Sequence, residues 1–157
     1  MKETPFLQKL QNEGKLKIKA PNEVLAAAYL EKAQKTLLSA KTLLLQGDFE
    51  NAISLAYYAM YHSLTALLFR IGIKCENHTA AISLLKAVFG MENTLIRKAK
   101  EERIDKQYYV SLSITREETQ ETISQAEEFL ICLREMLARL QNEEILLYRQ
   151  RAEELLR

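Results

Sequence analysis

The residues best suited to chemistry in this chain lie around two histidines, His62 and His78. An imidazole titrates near neutral pH, so either side chain suits general acid–base catalysis. His78 follows the polar loop 73–77 at a predicted helix start, where we expect it to be partly exposed. The nearest cations are Arg70, in the last turn of the preceding helix, and Lys74, in the loop. Such a pair is chemically sufficient for metal-independent RNA cleavage, in which the 2′-hydroxyl attacks its own phosphodiester.

Roles within this loop follow from residue type. If the site is catalytic, we expect His78 to act as general acid or base and Arg70 to stabilise charge on the phosphate. Glu76 and Asn77 would then set the loop, and Lys74 would add a binding cation. The structural alternative is that His78 only packs at the helix start, which Asn77 caps. Both interpretations stay open.

A cluster of aromatic side chains precedes this loop. Its members lie at helical i, i+4 spacing and form two adjacent stripes, Tyr57 with Tyr61 and Tyr58 with His62. The functional interpretation is a surface that stacks on bases or contacts phosphate beside a groove. The structural alternative is a core histidine bonded to buried tyrosine hydroxyls. We regard Tyr58, Tyr61 and His62 as candidate binding residues.

A second polar and aromatic group is the segment RIDKQYY, residues 103–109. Arg103 is its candidate binding residue, and the alternative is a salt bridge or a Tyr–Arg contact that fixes a crossover. The following segment, YYVSLSI at 108–114, alternates like a strand but has no predicted partner. We therefore expect an extended connection there.

Other chemistries find little support in the sequence. A ferritin-like metal site needs Glu-x-x-His, but Ala59 precedes His62 by three residues and Cys75 precedes His78 by three. Cys75 and Cys132 form no CxxC pair, so neither a zinc site nor a disulfide framework is indicated. Phosphate-cradling glycine motifs and nucleophile elbows are absent from the sequence. We expect no metal and no cofactor.

These candidates must be positioned by helices. The 157 residues include only four glycines and two prolines, too few for the many turns of a sheet protein. Apolar periodicity and capping residues predict a helical hairpin from Asn22 through Gly47 to Gly72. Further helices are predicted from His78 to about Phe89 and over 97–106.

The last predicted helix begins at a capping box, Thr115 to Glu118, and its heptad-like seam runs on for roughly 40 residues. Its excess past about Gln141 would project, fold back or pack on a partner. The predicted fold is all-α, an up-and-down bundle of four to five helices with a long C-terminal helix. We divide the chain into a leader (1–20), the bundle (21–140) and a helical extension (141–157).

The net charge and the hydropathy of the chain bear on what it binds and on where in the cell it is found. A formal net charge of +1 argues against binding nucleic acid by bulk electrostatics. Residues 51–69 contain no charged residue, and a segment of this length could span a membrane. Its tyrosines and polar side chains, however, suit a helix at the centre of a soluble bundle better. We expect a cytoplasmic protein with no membrane association.

Three segments together resemble the HEPN domain family over roughly residues 22–140. They are AISLAYYAMYHSLTALLFRIGIKCENHTAAISLL (52–85), RIDKQYY (103–109) and AEEFL (126–130). The sequence is most similar to an archaeal-type branch with a CENH loop. The resemblance implies a homodimeric bundle, commonly encoded beside a minimal nucleotidyltransferase as a toxin–antitoxin pair. It also implies a metal-independent ribonuclease whose motif is an arginine, four to six residues, then a histidine.

The sequence departs from that motif at the arginine. Seven residues separate Arg70 from His78, three separate Lys74 from His78, and Leu55 stands where the family often has an arginine before its AYY. Two hypotheses therefore remain: a catalytic component of a nucleic-acid-processing or toxin–antitoxin module, or a non-catalytic dimer that binds a nucleotidyltransferase or nucleotides. A third is a structural adaptor that self-associates through 141–157.

Overall fold

The structure, a computed structural model, describes residues 3–108 and 113–157. The described residues form seven helices and a two-stranded sheet. In chain order these are α1 (Glu3–Asn12), β1 (Leu16–Ile18), α2 (Glu23–Leu45), α3 (Phe49–Ile71), β2 (Ile73–Cys75), α4 (His78–Ala87), α5 (Thr94–Tyr108), α6 (Arg116–Arg139) and α7 (Asn142–Leu155). The predicted all-α bundle is confirmed, with additional elements at both ends of the chain.

The hairpin of α2 and α3 is the frame of the bundle. Asn22 caps α2 by accepting a hydrogen bond from the backbone N–H of Leu25 at 2.9 Å, as its residue type predicts. Gly47 makes the tight reversal with a φ of 79°, and Asp48 caps α3. Small residues on the facing stripes, such as fully buried Ala56, let the two antiparallel helices approach closely.

Helix α3 forms the centre of the bundle and packs against α2, α5 and α6. Its residues Tyr57, Met60, Leu64 and Leu67 are fully buried. Among the described residues it is the only helix long and apolar enough to cross a membrane, and 61% of its apolar window is buried. Burial against neighbouring helices accounts for that composition, as the sequence interpretation proposed.

Residues 3–20, most of the segment that we describe as a leader of mixed character, fold onto the bundle. Helix α1 buries Leu7 and Leu10 in the core. Strand β1 then pairs antiparallel with β2, placing Leu16 opposite Cys75 and Ile18 opposite Ile73. The segment 73–77 is thus partly a strand, because β1 supplies the ladder partner that it needs.

The single C-terminal helix predicted over roughly 40 residues is wrong. Helix α6 ends at Arg139, and Leu140 is extended (φ −63°, ψ 124°). Helix α7 then starts at Asn142, and the Glu144 carboxylate accepts a hydrogen bond from the Gln141 backbone N–H at 3.3 Å. It folds back on the bundle, burying Ala152, so folding back is the correct choice among the three that we considered. The apolar seam continued unbroken through the reversal, which hid it in the sequence.

The segment after β1 and helix α7 meet at the end of α3. We call this contact the Gly72 junction, and it is formed by Lys19, Ile71, Gly72 and Arg149. Gly72 has a left-handed backbone (φ 85°), and its carbonyl accepts from the Lys19 N–H at 2.6 Å. The Arg149 guanidinium donates to the carbonyls of Ile71 at 2.7 Å and Lys19 at 2.6 Å. These hydrogen bonds hold the backbone in place where α3 ends and β2, which leads to His78, begins.

The segment between α5 and α6 was predicted as an extended connection over 108–114. Tyr108 is the last residue of α5, and residues 109–112, including Tyr109, lie outside the described residues. The predicted capping box at Thr115 and Glu118 is confirmed by both of its hydrogen bonds. Helix α6 therefore begins where the sequence indicates.

Candidate functional site

His78 is positioned by the strand and cap that precede it. Residue Asn77 is extended, and its side-chain oxygen accepts from the backbone N–H of Ala80 at 2.9 Å, so α4 begins at His78. The Cys75 thiol contacts the Asn77 carbonyl at 3.4 Å, which closes the turn after β2. Asn77 therefore caps α4 as predicted, and the His78 side chain is left half-buried beside α3.

Three tyrosines of α3 hold the imidazole of His78. A hydrogen bond of 2.7 Å joins Tyr57 Oη to His78 Nδ1. The Tyr61 ring stacks on the imidazole with centroids 3.7 Å apart and planes 15° apart. Tyr58 meets it edge-on, with centroids 6.2 Å apart. Because one ring nitrogen and one ring face are occupied, the Nε2 edge is the part of His78 left for a ligand.

Helix α5 brings two cations to this group. The Arg103 guanidinium lies 4.9 Å from the Tyr58 ring centroid and 5.8 Å from that of Tyr57, within the range of cation–π attraction. Its Nε is buried and has no hydrogen-bond partner among the described residues. The Lys100 ammonium donates to Thr79 Oγ1 at 2.6 Å, one residue from the histidine. We call Tyr57, Tyr61, His78, Lys100 and Arg103 the His78 site.

The His78 site keeps its imidazole neutral and its phenols protonated. Burial lowers the pKa of His78, and the nearby charges of Lys100 and Arg103 lower it further. Burial raises the pKa of Tyr61 to about 12 and raises that of Tyr57 as well. At pH 7 the site therefore presents a neutral imidazole among positive charges, a setting that favours an anionic ligand.

The bond between Tyr57 and His78 controls which ring nitrogen carries the proton. If Nδ1–H donates to Tyr57 Oη, the Nε2 lone pair is free to accept a proton from a ligand. If the Tyr57 hydroxyl donates instead, Nε2 carries the hydrogen and can hold a phosphate or carbonyl oxygen. The first tautomer is a base and the second a binding group.

His62 lies on the neighbouring stripe, as its spacing predicts. Its ring stacks against Tyr58 with centroids 6.2 Å apart, and Tyr29 of α2 lies 6.3 Å away on another side. Burial, then the charges of Lys32 and His78, lower the pKa of His62 to about 4. His62 is therefore neutral at physiological pH.

We expect proton NMR to find a midpoint near 4 when the His62 ring is titrated in the folded protein. The unfolded value is about 6.5, so the unfolded state binds this proton first as pH falls. The contribution of His62 to stability is thus present above pH 6.5 and declines between 6.5 and 4. A midpoint at or above 6.5 would contradict the burial of this ring.

Arg70 lies away from His78. It lines a cavity of about 240 Å³ between α2 and α6, with Glu23 and Arg134 among the other lining residues. It lies nine positions after Tyr61 on α3, about two and a half helical turns, so the two side chains leave α3 on opposite sides. The structure does not bring the predicted pair of Arg70 and His78 together.

The two charged residues of the loop point elsewhere. Lys74 lies opposite Lys17 in the sheet and forms an exposed ion pair with Glu76 at 3.7 Å. Lys74 also lines a second cavity, with Tyr29 and Phe69. The candidates that do converge on His78 are Tyr58, Tyr61 and Arg103.

Lys100 was missed at the sequence level. Its signal is the spacing of three residues from Arg103, which places both cations on one face of a helix. Within residues 3–108 and 113–157 there is no cluster of three histidine, cysteine or acidic side chains that could hold a metal ion. Cys75 and Cys132 are both free thiols.

Comparison with protein families identifies residues 26–137 as a HEPN domain. The match begins within α2, ends near the close of α6 and includes all five residues of the His78 site. Comparison with curated proteins gave no match.

Proposed function

The chain belongs to the HEPN domain family. We propose that it is a nucleic-acid-processing module, and that the His78 site cleaves RNA without the help of a metal ion. One observation carries the proposal. A half-buried imidazole is locked by Tyr57 and Tyr61 and flanked by Lys100 and Arg103. A neutral, oriented imidazole beside cations meets the needs of phosphodiester cleavage by an internal hydroxyl.

The reaction follows from this geometry. With Nδ1–H donating to Tyr57, His78 Nε2 takes the proton of the ribose 2′-hydroxyl as its oxygen forms a bond to phosphorus. The bond from phosphorus to the 5′-oxygen breaks, and the imidazolium returns a proton to that oxygen. Lys100 and Arg103 disfavour the imidazolium, so it is a ready proton donor. The products are a 2′,3′-cyclic phosphate and a 5′-hydroxyl.

We assign stabilisation of the phosphate charge to Lys100 and Arg103. Both approach His78 from α5, whereas Arg70 lines the cavity between α2 and α6. Arginine forms paired hydrogen bonds to phosphate, and the aromatic contacts of Arg103 hold its guanidinium in place. This assignment replaces the arginine of the family motif with one from another helix.

The proposed setting is the one that the family resemblance implies. We propose a homodimer whose two sites meet at a groove, a minimal nucleotidyltransferase as partner, and a toxin–antitoxin role in the cytoplasm. Support comes from the half-buried stripe of Tyr58, Tyr61 and His62, which no described element covers fully. The CENH loop at 75–78 supports membership of an archaeal-type branch.

The proposed function is tested with purified protein, a short RNA and EDTA to remove metals. We expect cleavage, with products ending in a 2′,3′-cyclic phosphate. An otherwise identical strand with one 2′-deoxyribose should resist cleavage at that position, since the attacking hydroxyl is missing. Cleavage that needs added metal, or that proceeds at the deoxy position, would refute the mechanism.

A second function, binding of RNA or nucleotides without cleavage, is favoured by the other tautomer of His78. Tyr57 is fully buried, and in this tautomer its hydroxyl group donates to His78 Nδ1, its one hydrogen-bond partner among the described residues. That arrangement leaves an Nε2–H group to hold a phosphate oxygen. Retention of RNA by the protein with no product in EDTA would establish this function instead.

A further inference from the structure

A cavity of about 360 Å³ lies beside the His78 site, on the other side of Thr79 and Lys100. Helices α1, α4 and α5 form its walls, and a volume of this size is in the usual range for small-molecule sites. Its lining residues are Phe6, Thr79, Ile82, Ser83, Asn93, Arg97 and Lys100. The walls are mostly apolar, but several polar groups converge on the space.

Two of those polar groups are buried and have no hydrogen-bond partner among the described residues: Asn93 Oδ1 and Ser83 Oγ. Asn93 is only 6% exposed, and its amide nitrogen donates to the Ile82 carbonyl at 3.0 Å. That bond fixes the orientation of the amide and makes its oxygen the free atom. A buried amide oxygen without a donor is costly, so the cavity calls for a ligand with an N–H group.

The remaining lining narrows the class of ligand. Phe6 of α1 and Ile82 of α4 offer apolar contact to a flat ring. Arg97 and Lys100 line the same cavity and provide positive charge for a phosphate. A ring with an amino group, attached to a phosphate, satisfies all of these groups together.

We propose that this cavity is a base-binding subsite for a nucleobase with an exocyclic amino group, whose N–H donates to Asn93 Oδ1. The proposal rests on the proposed function and extends it, because Lys100 belongs to both places and Thr79 directly follows His78. The subsite would thus select the nucleotide whose phosphate reaches His78. Adenine, cytosine and guanine carry the exocyclic amino group. Uracil and hypoxanthine have a ring N–H, but they present a carbonyl oxygen where cytosine and adenine have the amino group, and Asn93 Oδ1 would repel that oxygen.

The test varies the ligand and leaves the protein intact. We expect CMP to bind about tenfold more tightly than UMP, and AMP about tenfold more tightly than IMP, since each pair differs where the amino group is replaced by a carbonyl. Chemical shifts of the Asn93 side-chain amide should move with CMP and AMP. Equal affinity within both pairs would overturn the proposal.

A second arm distinguishes a free nucleotide from a strand of RNA. Uncleavable 2′-O-methyl oligomers that differ in a single C or U are titrated in EDTA. A preference seen with monophosphates identifies a nucleotide site, and one seen only with oligomers identifies a strand site. No preference in either arm refutes the subsite. Because these ligands are not cut, a preference without RNA cleavage would leave the subsite standing while the proposed function fails.

Variants then locate the binding. Arg97→Gln should weaken CMP binding about fivefold, whereas Lys98→Gln, the same loss of charge one residue away and outside the cavity, should not. Ser83→Ala removes a hydroxyl that has no partner among the described residues, so it should fold normally and lower CMP affinity a few-fold. Equal effects of the Arg97 and Lys98 variants would place the ligand elsewhere.

Discussion

Replacing His78 with alanine is expected to lower the rate of RNA cleavage in EDTA by at least about 100-fold. The substitution removes the only group of the site that takes and returns the proton, while Lys100 and Arg103 still bind phosphate. Single-turnover cleavage with excess protein measures the chemical step directly. RNA affinity should change far less than the rate, because the cations supply most of the attraction.

His62→Ala is the matched control for His78→Ala. It removes the other imidazole, which stacks on Tyr58 within the same aromatic cluster. Because His62 is a candidate binding residue, we expect weaker RNA binding but a rate at saturating protein within about threefold of the wild type. Loss of the His78 ring leaves the buried Tyr57 hydroxyl without its partner, so thermal unfolding of both variants must be recorded. A folded His78→Ala protein with the wild-type rate would remove His78 from the mechanism.

The dependence of the cleavage rate on pH tests the role of His78 in the unmutated protein. Cleavage needs the neutral imidazole, and burial with the charges of Lys100 and Arg103 lowers the pKa of His78. The rate should therefore hold through pH 6.5 and fall only at more acidic pH, as His78 becomes protonated. A loss of rate centred above pH 6.5 would contradict this assignment.

Gly72→Ala is expected to destabilise the protein by about 2–5 kcal/mol, or to prevent folding. A left-handed backbone costs a non-glycine residue about 1–2 kcal/mol, and overpacking adds about 1–3 kcal/mol. The added Cβ would collide with the Lys19 carbonyl oxygen and the Arg149 guanidinium, and would lie 2.9 Å from the Pro21 nitrogen. Urea unfolding, followed by circular dichroism, measures the loss.

Gly47→Ala separates the two contributions. Gly47 has a similar φ of 79°, but a Cβ there meets nothing within 4 Å. It should cost only the backbone contribution, about 1–2 kcal/mol. Equal losses for the two variants would show that the Gly72 junction adjusts to a side chain without cost.

Local signals predicted the helix ends well. Asn22, Asp48, Asn77 and Thr115 each accept the capping hydrogen bond that their side chains suggest. The break at Leu140 was missed because no glycine or proline marks it and the apolar seam continues through it. Glu144, three residues after Gln141, is a weak local signal because glutamine is not one of the usual N-cap residues.

The site was predictable only in part, for a similar reason. Tyr58 and Tyr61 could be placed near His78 from helical spacing and the short loop, and Arg103 from its aromatic neighbours. Arg70 was favoured because it is close in sequence, although the helical rotation from Tyr61 turns it to the opposite side of α3. A short separation in sequence did not place Arg70 near His78, because the direction in which a side chain leaves the helix decides what it can contact.

The short strand pair and the cavity between α1, α4 and α5 could not be predicted from the sequence. β1 and β2 have three residues each, too few for alternation to be distinctive, and 54 residues of chain, 19–72, lie between them. Phe6, Ser83 and Asn93 line one cavity although they belong to separate helices and connections. Such features arise from tertiary packing, which no local pattern encodes.

The Gly72 junction also has a consequence for the order of events during synthesis. Its closing residue, Arg149, follows Ile71 by 78 positions, so at about 5–20 residues per second a ribosome adds it several seconds later. A nascent chain thus carries His78 well before it carries the residue that secures the strand leading to it. The contact that secures the strand leading to His78 therefore forms only after α7 has been synthesised.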